Sequence, residues 1–230
     1  MKLLVYHARR KLWIFGVFGA IYLILVFLQA HDSFSFYHQT AEEYPCLIAA
    51  LLCALILTSD TENEFARCYG VSFVKLGFSQ FLPHLVYPLV MAFLAVPLYW
   101  GLYGAGALHG YPIPIPEYFV LFFSLFVTFF LVSAFTLFVR VAIRSVYATF
   151  GAFLIAFSPF HYLHQNLLNK RVPITKANCD IWITGLLYSD KYDVPAEMWL
   201  TNRLVFFGVA VLFIIGAVIL LKQKNYKNIC

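Results

Sequence analysis

Six apolar stretches, each long enough to cross a bilayer, take up most of this 230-residue chain. They run over about Leu12–Gln29, Tyr44–Ser59, Gly77–Trp100, Tyr118–Val139, Val146–Leu163 and Leu204–Leu221. A hydrocarbon core of about 30 Å asks for about 20 consecutive apolar residues of helix. Only 12% of residues are charged and 62% are hydrophobic, whereas soluble domains carry about 25% charged residues. The expectation is an all-α polytopic membrane protein, a single transmembrane domain over residues 1–230, with little chain left for a soluble one.

The charges between the stretches sort by side. Lys2, Arg9, Arg10 and Lys11 precede the first, Arg67 and Lys75 join the second to the third, Arg140 and Arg144 the fourth to the fifth, and Lys222, Lys224 and Lys227 follow the sixth. The first two connections on the opposite side hold no Lys or Arg. The third holds Lys170, Arg171, Lys176, Lys191 and Arg203, but it is long and also carries Asp180, Asp190, Asp193 and Glu197. Cytoplasmic loops concentrate Lys and Arg, so both termini are expected in the cytoplasm. The formal net charge of +5 is then a topological bias, with the lipid bilayer as partner and no basic face left for nucleic acid. Trp13 on the inner side, and Tyr99, Trp100, Tyr103, Tyr111 and Tyr118 on the outer side, mark interfacial belts. The first apolar run is too long for a signal peptide, and no small-x-small cleavage site follows Gln29. The cysteines, Cys46, Cys53, Cys68, Cys179 and Cys230, show no C-x-x-C spacing and no disulfide framework.

Three segments outside the spans have a character of their own. Met1–Lys11 is basic and partly apolar, which suits either an interfacial helix or a plain basic flank. Ser59–Lys75 reads SDTENEFARCYGVSFVK. Asp60 and Thr61 are helix caps, Glu62 and Glu64 stand in a first turn where the helix dipole favours acid, and Gly70 is a stop, so a short cytoplasmic helix is expected. The outer segment 164–202 follows Pro159, which is expected to break or kink the fifth span. Its five large apolar groups, Ile181, Trp182, Ile183, Leu186 and Leu187, are too apolar for a freely solvated loop. They are expected to pack as short or re-entrant helices, a gate over the outer mouth, with a loop resting on the headgroups as the alternative.

Catalytic motifs are few. There is no G-x-x-x-x-G-K-[ST] phosphate loop and no H-E-x-x-H, so the chain is not expected to be an enzyme or to bind a nucleotide, cofactor or catalytic metal itself. Glu42-Glu43 with Phe157 and His161 faintly resembles intramembrane prenyl-protein proteases, but Leu47 stands where that motif needs arginine. His161 and His164, with His31, His38 and His109, are conceivable metal ligands; interfacial histidines snorkelling to water are the commoner case. His84 is the ionisable group expected deepest within a span, where function is the default suspicion. The alternative is a structural ring bound to a carbonyl freed by Pro83.

The layout resembles the permease subunit of ABC exporters of the drug, polysaccharide and lantibiotic-immunity class. The residues that carry the resemblance are Glu62, Glu64, Gly70, Val71, Ser72 and Lys75, an acidic helix start, a Gly-x-Ser turn and a basic entry to the third span. The family's helix centre differs: here it reads Phe65-Ala66-Arg67-Cys68-Tyr69. The resemblance implies that this segment is a coupling helix, with Glu62, Glu64, Arg67, Tyr69, Gly70 and Ser72 docking an ABC ATPase subunit that holds the ATP and Mg. It implies a second permease subunit, in a homo- or heterodimer, in the plasma (inner) membrane. It implies a path lined by the first, second and fifth spans, where Tyr22, Gln29, Cys53, Thr58, Thr149 and Ser158 are the polar or aromatic positions. Ordinary helix–helix hydrogen bonding is the other reading of each. These three spans hold no charge, so a lipid-like or amphipathic substrate, such as a hydrophobic peptide, suits them better than an ion. Two rivals remain: an ion-coupled carrier or channel, which would want intramembrane carboxylates or paired broken helices, and a non-transporting sensor or assembly subunit.

Overall fold

The computed structural model describes residues 13, 16–17, 19–24, 73–106, 115–168, 188–189, 192–193 and 196–227. The described residues form four long helices: α1 (Phe73–Gly104), α2 (Ile115–Ile143), α3 (Val146–Leu168) and α4 (Ala196–Lys227). Residues 19–24 are helical as well. Stretches long and apolar enough to cross a membrane occupy His84–Gly104, Phe119–Ile143 and Trp199–Gln223. The molecule is a helical membrane protein. The first apolar stretch is described only in part, and the second lies outside the described residues.

Each described helix outruns its expected span. α1 runs without interruption through Pro83, Pro88 and Pro97, as membrane helices permit when neighbouring groups satisfy the freed carbonyls. α3 likewise continues past Pro159 to Leu168. Pro159 therefore does not end the helix there. Ser158 Oγ, one residue earlier, donates to Leu154 O at 2.5 Å. α4 begins at Ala196, well before the expected start at Leu204. The segment 164–202 thus gives up both its ends to helices. Between them, β1 (Tyr188–Ser189) pairs with β2 (Tyr192–Asp193) in a two-stranded antiparallel ladder, in the register Tyr188↔Asp193 and Ser189↔Tyr192; the stretch expected to form short helices, 174–187, lies outside the described residues.

α2 is the axis of the described bundle. Of its apolar window 72% is buried, against 39% for α1 and 11% for α4. Tyr87, Met91, Ala95 and Leu102 of α1 pack with Leu121, Leu125, Phe129 and Val132 of α2, and Tyr22 joins them, fully buried, its ring edge-on to Phe129 at 6.3 Å. His84 and Ser133, about equally far from the α1–α2 link, are joined by a hydrogen bond, so the two helices are antiparallel. α2 and α3 also fold back on each other: Phe135 meets Phe157 across a two-residue link.

α2 and α4 run parallel. Trp199 meets Ser124, Arg203 meets Thr128, Phe207 meets Phe130 and Phe213 meets Phe138, the numbers rising together on both helices. One intervening helix, α3, gives this result. Near the far end a Cβ on Gly216 would stand 3.0 Å from a Phe138 ring carbon, so a larger residue there would press on that ring.

The α2–α3 link is Arg144 and Ser145. Arg144 donates its N–H to Arg140 O (2.9 Å) and adopts φ 64°, the left-handed conformation that commonly ends a helix and favours glycine. Ser145 caps α3 by accepting from Ala148 N–H at 3.3 Å. A non-glycine residue pays about 1 kcal/mol in that region. Arg144→Gly is therefore expected to stabilise the fold by up to about 1 kcal/mol, and Arg144→Val to destabilise it. Unfolding in mixed micelles with rising sodium dodecyl sulfate checks both signs.

Candidate functional site: a buried arginine between α2 and α4

One face of α4 is uncovered among the described residues. Leu204, Val205, Leu212, Ile215 and Ile219 are all exposed, as lipid-facing residues are. Against that face, Arg203 is 0% exposed, and its neighbour Asn202 is buried too. Arg203 is the fifth residue of the apolar window Trp199–Gln223, about 6 Å along the axis from its start at 1.5 Å per residue. A charge at that depth is costly unless it is paired or hydrogen-bonded.

α2 supplies much of what the arginine needs. Nη1 donates to Thr128 Oγ1 at 2.9 Å and to Ser124 O at 3.4 Å. On the other edge, Nε and Nη2 both donate to Asn202 Oδ1, at 2.9 and 2.6 Å. Adjacent helix positions point about 100° apart, so the arginine must fold sideways along its own helix to reach Asn202. Thr128 Oγ1 donates back to Ser124 O at 3.1 Å, and Trp199 Nε1 donates to Ser124 Oγ at 3.4 Å. Aromatic rings close the surroundings: the guanidinium carbon lies 5.7 Å from the Phe206 centroid, and Trp199 stands edge-on to Phe123 at 6.1 Å. The result is a fixed, planar, charge-bearing donor group held at one end of the membrane-crossing stretch.

α2 carries a second polar contact on its α1 side. His84, 1% exposed, shares a hydrogen bond of 3.1 Å between Nδ1 and Ser133 Oγ. The ring's Nδ1 thus meets a hydroxyl on the neighbouring helix. Interhelical hydrogen bonds of this kind contribute about 0.6 kcal/mol on average in membranes. Thr136 is also buried, and its hydroxyl bonds Val132 O at 2.7 Å.

The expected path residues are placed as follows. Tyr22 lies in the α1–α2 core, Thr149 is buried with its hydroxyl on Ser145 O at 2.7 Å, and Ser158 is exposed with its hydroxyl on Leu154 O. Thr149 and Ser158 thus direct their hydroxyls to their own helix. Gln29, Cys53 and Thr58 lie outside the described residues. So do the coupling segment Glu62, Glu64, Arg67, Tyr69, Gly70 and Ser72, and the gate candidates Ile181, Trp182, Ile183, Leu186 and Leu187. Pro159 is on an exposed position of α3. Among the described residues no group of three or more His, Cys, Asp or Glu is placed to hold a metal ion.

Arg203 was missed because it counts among the loop charges when the sixth span is started at Leu204. The available signal is the run Trp199-Leu200-Thr201-Asn202-Arg203, an interfacial aromatic one turn before a single charge, with unbroken apolar sequence behind it. Comparison of the chain with protein-family models, with curated proteins and with solved structures finds no match.

Proposed function

We propose that this chain is the membrane-spanning subunit of an ATP-driven exporter of the ABC class, moving an amphipathic or lipid-like substrate on energy supplied by a separate ATPase. In this reading six spans cross the plasma membrane, both termini are cytoplasmic, and two such subunits pair. What supports it is a set of membrane-length apolar helices in a sequence with no phosphate loop, together with the acidic-start run Glu62–Ser72, whose pattern resembles the segment that couples permeases to ATPases. The antiparallel α1–α2 and α2–α3 contacts and the parallel α2–α4 contact support the alternation that this topology requires. The exposed apolar faces of α1 and α4 support burial in lipid or against a second subunit.

A carrier of anions is the second reading that a specific observation favours, because Arg203 puts a cation inside an apolar helix. Purification in mild detergent separates the two: a stoichiometric ATPase is expected with the exporter subunit and none with a self-contained carrier. Topology is checked with variants retaining one cysteine. Cys179 alone is expected to react with an impermeant maleimide from outside, and Cys230 alone only after permeabilisation. The reverse pattern removes the cytoplasmic coupling segment and with it the exporter reading.

A further inference from the structure

We draw no further inference here: the strongest candidate, the exposed apolar face of α4 formed by Leu204, Val205, Leu212, Ile215 and Ile219, carries nothing further, because nothing in the structure shows whether lipid, another segment of this chain or a second copy of it covers that face.

Discussion

Arg203→Ala is expected to destabilise the folded domain by about 3 kcal/mol, while Arg203→Met is expected to leave stability within about 1 kcal/mol of wild type. The contrast separates the two things the arginine does. Its stem fills the space between α2 and α4 beside Phe206, and truncating a large buried side chain to alanine leaves a cavity that costs about 2–5 kcal/mol. Its hydrogen bonds to α2 count for less, because interhelical bonds in membranes average about 0.6 kcal/mol. Removing the charge also removes the cost of keeping it out of water, so an apolar replacement of similar length often breaks even. Unfolding of both variants in mixed micelles measures this directly. A Met variant destabilised as much as the Ala variant would show that the polar contacts, not the packing, hold α2 to α4. If Met is tolerated, stability is not the reason for a cation at this depth.

The helical and membrane character of the chain was legible in its sequence, because long apolar runs with few charges have few other ways to fold. The third to sixth stretches each contain described helix. Their ends were less legible. Apolar content marks where lipid is, whereas a helix ends where its backbone bonds do, so α4 begins eight residues before Leu204 by the numbering of its first residue, Ala196. Of the break or kink expected at Pro159, the break does not occur: proline removes one N–H and crowds one carbonyl, but in α3 the ladder resumes beyond it. The Arg203 cluster was hidden by its long range. Its acceptors on α2 lie some 75 residues earlier in the chain, so the local run Trp199–Arg203 can mark a charge at the start of an apolar stretch but cannot name Thr128 and Ser124 as its partners. His84 was legible as an intramembrane ionisable group, yet its partner Ser133, 49 residues away, was not.

Under the exporter reading proposed above, Glu64→Arg, in a chain expressed and folded as wild type, is expected to weaken association with an ATPase subunit by about tenfold or more, or to uncouple its hydrolysis from transport. In the proposed coupling helix, Glu62 and Glu64 follow the cap candidates Asp60 and Thr61, so it would begin with acid where the positive end of a helix dipole favours it. Reversing Glu64 has two effects of the same sign. It puts a cation at the helix N-terminus, which costs about 0.3–1 kcal/mol of local helix stability. It also sets like charges against each other wherever the ATPase groove is basic, and that juxtaposition costs several kcal/mol. The second effect is the larger, which makes the variant a test of docking rather than of helix formation. Glu64→Gln separates them further: it removes the charge without repulsion and should lie between wild type and Glu64→Arg. Charge reversal at a facing lysine or arginine of the ATPase should then restore the Glu64→Arg complex. ATPase stimulation and transport both unchanged in Glu64→Arg would place energy coupling elsewhere in the chain, and Glu62–Ser72 would be an ordinary connection between two spans.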